Sequence, residues 1–349
     1  PETTRLCAVV KSNAYGAGIY DFTPEVIKYG ADWIAVDSVI EGVRLRERGV
    51  TVPILILGPT LPANLTRAAK HSLAVTISTF ETLEAASRLA GAHKLSVHLK
   101  IDTGMHRQGF FPEHLDRVLT AFSVSSAMKL DGLYTHFADA KNPTFPQTTH
   151  AQRDRFDAAV ERVRAAGFAP IVHAAATSTT ILFPDMHYDM VRVGIGLYGL
   201  WPSKETRAYA SGFLSLRPVA TWKSVLTEVK EIAKGEGVSY GLTERVDRKT
   251  RIGVVPVGYW HGYQRDLSGI GRVTIGGKQA KVLGVVTMDM IVVDLSKAKG
   301  ASVGDEVVLL GGDGPEVPTS ADYLAHLVGT INYEMVTRIN PLIRRRITT

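Results

Sequence analysis

The sequence has a single cysteine, Cys7, and so cannot form an internal disulfide. Cys7 stands in the apolar run "LCAVV", which reads as a buried, inert thiol and suits a reducing compartment. Long hydrophobic runs are missing too. None approaches the ~18 residues of a membrane span, and the N-terminus lacks the charged-then-apolar pattern of a signal peptide. Nor is there a long block of one charge. The net charge of +6 is spread along 349 residues, and the only tight basic cluster is Arg344–Arg346. No aromatics are interleaved with that cluster and no nucleic-acid motif accompanies it, which argues against a nucleic-acid partner. A mild attraction for small anions is the inference that survives. Internal repeats and low-complexity linkers are absent.

What is present is an ordinary globular composition, long enough for about two domains. Short apolar runs at Leu6–Lys11, Trp33–Val36, Ile54–Leu57, Leu73–Ser78, Leu95–Ile101, Leu130–Phe137, Ile171–Ala176 and Met190–Gly194 read as strands. Amphipathic patterns such as "SVIEGVRLRERG", "STFETLEAASRLAG" and "AQRDRFDAAVERVRAAG" separate them, with sensible start and stop residues. Near-continuous apolar strands alternating with helices imply a parallel sheet. Eight such units predict an α/β fold, a (β/α)8 barrel over residues 1–212. Beyond it, β-branched runs broken by Gly and Asp-Gly turns predict a mostly antiparallel β domain over 213–349, with a last helix around Ala321–Val328.

Catalytic groups of such barrels sit where strands end and loops begin. Lys11, Lys100, His136, Thr177 and Arg192 all fall at or near such ends. Each alone has a plain structural alternative: a solvated lysine, a hydrogen-bonded core histidine, an arginine paired with a carboxylate. "NAYGAG" and "VGIG" are weak signals for anion binding by backbone N–H groups. Convergence of five polar residues on one rim is the stronger observation.

Taken in order, "AVVKSNAYGAG", "LKIDTGMHRQG", "LYTHFA", "FPDMHYDMVRVGIGLYG", "GVSYG", "VPVGYWHGY", "GVVTMDMIVVDL" and "INYEMVTRI" closely resemble the alanine racemase family over nearly the whole chain. That resemblance implies racemisation of L- and D-alanine with pyridoxal 5′-phosphate (PLP), and D-alanine supply for peptidoglycan. It further implies a cytoplasmic homodimer with shared active sites, whose C-terminal domain contributes to the partner's site. Lys11 matches the Schiff-base lysine and first base, and Tyr259 the second base, supplied by the partner subunit. Arg192 matches the arginine facing the pyridine nitrogen, and His136 the residue linking it toward the tyrosine. Tyr15, Thr177, Tyr333 and the backbone of Gly194 and Ile195 match phosphate contacts. Arg107 and Met288 match substrate-carboxylate contacts, and Lys100 a lysine that the family often carbamylates. No metal is implied.

The chain departs from the family at Ala176 in place of an asparagine, at Trp260 and His261 in place of a small residue and an aspartate, and at Thr287 in place of a cysteine. Family members usually also carry a strand and helix ahead of the lysine strand; the chain begins just before that strand, so either that segment is outside this sequence or the barrel lacks a piece. Two readings compete with an alanine racemase. One is a racemase of serine or another amino acid on the same scaffold. The other is a non-catalytic PLP carrier, which would resemble only the barrel and lack the domain with Tyr259. A related barrel decarboxylase would need a cysteine in the β domain, and the only cysteine is Cys7.

Overall fold

The computed structural model describes residues 3–89 and 94–348, which form two compact units. The first comprises Pro1–Ala14, Ile19–Leu197 and Trp201–Leu216; the second comprises Tyr15–Gly18, Tyr198–Leu200 and Arg217–Thr349. The end of the helical pattern over 78–91 lies outside the described residues.

The first unit is an eight-stranded parallel barrel. Its strands are β1 (Arg5–Val9), β2 (Trp33–Val36), β3 (Ile54–Ile56), β4 (Leu73–Ile77), β5 (Leu95–Lys100), β6 (Met128–Tyr134), β7 (Ile171–His173) and β8 (Met190–Val193). They run side by side in chain order from β1 to β7, and β8 pairs with the other edge of β1. A parallel bridge between Ala176 and Arg192, with Arg192 N–H donating to Ala175 C=O at 2.9 Å, ties β8 to the chain leaving β7. Ile54, Leu55 and Ile56 are all fully buried, as expected of a strand covered on both faces. Each such side chain contributes about 1.5–3 kcal/mol by leaving water. Helices follow most strands, and several open on a side-chain cap. Ser38 accepts the Glu41 N–H and Thr79 the Thr82 N–H.

One difference from the sequence pattern bears on function. The first strand stops at Val9, and Lys11 opens a left-handed helical turn, Lys11–Tyr15, instead of continuing the strand. Ser12, Asn13, Ala14 and Tyr15 have φ of 55°, 56°, 51° and 50°. Left-handed backbone costs roughly 1–2 kcal/mol per non-glycine residue, so the surroundings must impose this turn.

The second unit carries a seven-stranded antiparallel sheet. Its members are β9 (Trp222–Val225), β10 (Glu228–Ile232), β13 (Thr250–Val255), β14 (Arg272–Ile275), β15 (Lys278–Leu283), β16 (Ile291–Asp294) and β17 (Glu306–Leu310). Their order across the sheet is β10-β13-β16-β15-β14-β17-β9. A separate pair, β11 (Gly237–Val238) and β12 (Glu244–Arg245), lies between β10 and β13 in the chain. The helix expected near Ala321–Val328 spans Ala321–Leu327, and it is not the last. Gly329, at φ +69°, turns the chain, and a further short helix, Asn332–Thr337, follows.

Candidate active site

Lys11 sits two residues beyond β1, and its Nζ lies 3.1 Å from Asp37 Oδ1 in a partly exposed ion pair. The turn behind it is held by named bonds. Ala14 N–H donates to Val10 C=O, Ser12 N–H to Glu41 Oε1 at 2.9 Å, and Ile19 N–H to Asn13 Oδ1 at 3.0 Å.

Arg192, 3 % exposed, is paired across the sheet one strand away, with Cys7 as its register partner. Its Nη2 donates to Thr135 C=O and Ala174 C=O, both at 2.9 Å, and reaches His136 Nδ1 at 3.4 Å. Its Nη1 lies 2.6 Å from His173 Nδ1. Because a guanidinium only donates, His173 Nδ1 accepts, and its Nε2 carries the proton. That proton points to His98 Nδ1 at 2.8 Å, which leaves the His98 proton on Nε2, where it has no partner among the described residues. The logic of the network thus assigns both tautomers. Tyr134 stacks on His173 at 4.8 Å, and a Cβ on Gly132 would fall 2.2 Å from the His98 ring, so glycine is required there.

All three histidines are held neutral. Burial first, and then Arg192 and the neighbouring cations Arg107, Lys100 and Lys11, push His136 down to about 3. Burial also lowers His98 to about 3 and His173 well below the ordinary range. Lys11, Lys100, Arg107 and Arg192 thus all act electrostatically on His136. The Nε–H of Arg192 makes no hydrogen bond within the described residues, so one fixed donor remains for an acceptor brought to it.

Lys100, the last residue of β5, is 5 % exposed and donates to Gln108 Oε1 at 3.1 Å. Burial, with Arg107 and Arg192 nearby, lowers it to about 7, so a large share of this amine is neutral near neutral pH. Arg107 rides on a loop shaped by Asp102, whose Oδ1 accepts the N–H groups of Gly104, Met105 and His106 at 2.9, 2.9 and 3.1 Å. Burial would raise the Asp102 carboxyl, but those bonds outweigh it and hold it low.

Thr177 begins the short helix Thr177–Leu182, where Ala176 gives no side-chain cap. Thr177 Oγ1 accepts from Gly194 N–H at 3.1 Å and Gly196 N–H at 3.4 Å, which leaves its own O–H as a donor. Ile195 follows in the 3-10 turn Ile195–Tyr198. Helix-start amides and a hydroxyl donor together suit an anion.

In the second unit, Tyr15 stacks on Tyr198 at 4.8 Å and lies 6.1 Å from Tyr333. Burial pushes the Tyr15 hydroxyl up to about 12 and Tyr333 higher still, so both remain protonated donors. Tyr259 lies on the turn Tyr259–His261 and is 42 % exposed. Its N–H donates to Thr287 C=O at 3.0 Å, and the Trp260 N–H to Met288 C=O at 3.1 Å, so Tyr259 and Met288 stand on adjoining turns. The unusual residues here have local work. His261 Nδ1 accepts the Gly258 N–H, and Thr287 Oγ1 closes the 287–290 turn on Met290 C=O.

Sequence reasoning missed His98, His173, Asp37 and Glu41. The histidines lie inside apolar parallel strands, and Asp37 lies directly after one, positions that the strand-end rule could have flagged. Glu41 closes the Ser38-x-x-Glu41 capping signature. Among the described residues no group of His, Cys, Asp and Glu is placed to hold a metal ion.

Comparison with known proteins agrees with this fold. The family profile described as alanine racemase, N-terminal domain, matches residues 1–202, and that described as alanine racemase, C-terminal domain, matches residues 219–347. An alanine racemase of Symbiobacterium thermophilum is 39% identical over 344 residues, covering 98% of this chain and 90% of that protein. One from Halothermothrix orenii is 37% identical, covering 98% and 89%. Among solved structures, alanine racemase of Clostridium difficile superposes with a TM-score of 0.91 at 34% identity, covering 97% of this chain and 88% of that one. The Bacillus anthracis alanine racemase with bound L-Ala-P gives 0.91 at 33%, covering 97% and 87%. With such relatives along nearly its whole length, the chain is an enzyme of the amino-acid racemase class. The chain belongs to the alanine racemase family.

Proposed function

We propose that this chain carries out its family's reaction, the racemisation of alanine, with PLP held at the barrel rim and with Lys11 and Tyr259 as the two bases. The observation that carries the reading is a lysine amine on the rim of a parallel barrel, one strand from a buried arginine whose Nε–H is free to donate. Bound PLP supplies an aldehyde for the amine and an electron sink that acidifies the substrate's α-carbon.

The residues then divide the work. Arg192 would offer its Nε–H to a ring nitrogen of the cofactor, and because a guanidinium keeps its proton it would not protonate that atom. His136, kept neutral, adds no second charge beside it. In the barrel, the Thr177 hydroxyl and the backbone near Gly194 and Ile195 would take the phosphate, while Tyr15 and Tyr333 match the family's other phosphate contacts. Arg107 pairs with the substrate carboxylate, and the Met288 backbone of the partner subunit contacts it from the other side. Lys11 Nζ moves the α-proton at one face and Oη of Tyr259 of the partner subunit at the other, as inversion requires.

Lys100, lowered to about 7, attacks carbon dioxide as the neutral amine, forming an N–C bond and releasing a proton. The carbamate places a negative charge near Arg107. A homodimer is supported by the exposure of Tyr259, Trp260 (59 %) and Met288 (55 %) on one pair of turns. The cell-wall role, D-alanine for peptidoglycan, and a cytoplasmic location follow by family membership. Among the described residues no helix is long and apolar enough to cross a membrane.

Chiral assay of alanine, serine, lysine and arginine with the PLP-loaded protein tests the substrate, and borohydride reduction followed by peptide mass spectrometry tests the cofactor. Turnover of alanine and a pyridoxyl group on Lys11 are expected. No alanine turnover, or a pyridoxyl group elsewhere, overturns the reading.

A further inference from the structure

Lys11 leads into four consecutive residues with left-handed backbone, and neither composition nor glycine content explains why they stay there. The entry to the turn has one side-chain anchor. Glu41 Oε1 accepts Ser12 N–H at 2.9 Å, while its Oε2 accepts Asp37 N–H at 2.8 Å and Ser38 N–H at 3.3 Å. One carboxylate therefore joins the residue after the lysine to the residue whose side chain pairs with the lysine. The three N–H groups come from two segments, the turn after β1 and the loop after β2. A carboxylate can accept all three because it has about four lone-pair sites and no proton to misplace.

As a capping residue Glu41 would need only the bond to Ser38, which Ser38 returns by accepting Glu41 N–H. The bonds to Ser12 and Asp37 go beyond any cap. We infer that Glu41 is a positioning residue for Lys11: its carboxylate clamps the left-handed turn and the Asp37 loop together, and so fixes where the amine sits. This rests on the reading of Lys11 as the PLP-bearing residue. A small misplacement of a reacting amine lowers rate steeply, whereas a lost cap lowers only stability.

Three variants of the full-length protein separate the two roles. Glu41→Gln replaces one acceptor oxygen with an NH2 group that faces an N–H donor. Glu41→Asp keeps the charge at the helix start but falls short of Ser12. Ser38→Ala removes the reciprocal hydroxyl cap and leaves the Glu41 carboxylate on Ser12 and Asp37. Each is stripped of cofactor, reloaded with PLP, quenched with borohydride over time, and analysed for the pyridoxyl group on Lys11, beside kcat, KM for alanine and thermal midpoint.

Both Glu41 variants are expected to slow attachment at Lys11 and lower kcat by about tenfold, with KM within about twofold. Ser38→Ala should stay within about twofold of wild type in both rates although its midpoint falls. Equal rate losses in Ser38→Ala and the Glu41 variants, or wild-type rates in Glu41→Asp, overturn the inference. Absence of a pyridoxyl group on wild-type Lys11 overturns the underlying reading instead.

Discussion

The barrel rim and the Tyr259 turn place their candidate side chains in opposite ways. Lys11 and Arg192 stand on buried parallel strands or directly after them, and Arg192 is fixed by two carbonyls and a histidine. Tyr259 is 42 % exposed on a 3-10 turn that backbone bonds hold. Those bonds require close approach. A Cβ on Gly258 would fall 2.1 Å from Thr287 C=O, and one on Gly262 2.3 Å from Arg338 C=O. The rim is thus made rigid by burial and polar satisfaction, the turn by glycine-dependent backbone contact.

The largest expected effect on that comparison is Lys11→Ala, which should cost about 10⁴-fold in racemisation and remove the pyridoxyl product after borohydride. Tyr259→Phe should cost about 10²- to 10⁴-fold in racemisation with thermal stability unchanged, since the ring stays and only an exposed hydroxyl leaves. Arg192→Lys comes next. A lysine cannot reproduce the fork to Thr135, Ala174 and His173, and leaving those buried acceptors unpaired should destabilise the protein by about 2–4 kcal/mol, read from denaturant midpoints.

Gly132→Ala should cost about 1–3 kcal/mol by overpacking His98, without touching a residue of the rim directly. The last effect is one of pH. His98 and His136 have folded-state values of about 3, below the ~6.5 of an unfolded histidine. The unfolded state therefore binds more protons, so stability present above ~6.5 declines as pH falls from there toward about 3. His98→Leu should flatten that decline in a series of thermal midpoints, and an unchanged slope would contradict the assignment of His98 as neutral.

Much of this was legible in the residues. The eight apolar runs predicted the barrel strands to within a few residues, because strands buried on both faces leave little room for polar positions. Trp33–Val36 agrees at both ends. The family resemblance supplied the racemase reading that the comparisons support. What sequence could not give was conformation imposed by context. "KSNAY" has no feature that announces a left-handed turn, and one of the bonds that hold it comes from Glu41, 29 residues away. Nor do His98 and His173 announce their bond to each other, which depends on β5, β6 and β7 lying side by side and on the missing side chain of Gly132. The helix Asn332–Thr337 escaped because its six residues are too few for a clear period.

The central claim is that two different bases, one on each kind of scaffold, serve the two faces of one substrate carbon. Incubating Tyr259→Phe with each enantiomer of alanine in deuterated water, and following α-deuterium uptake beside racemisation, tests it most directly. The account predicts that racemisation is lost while one enantiomer still exchanges its α-proton through Lys11. Racemisation within a few-fold of wild type, or equal loss of exchange from both enantiomers, would contradict it.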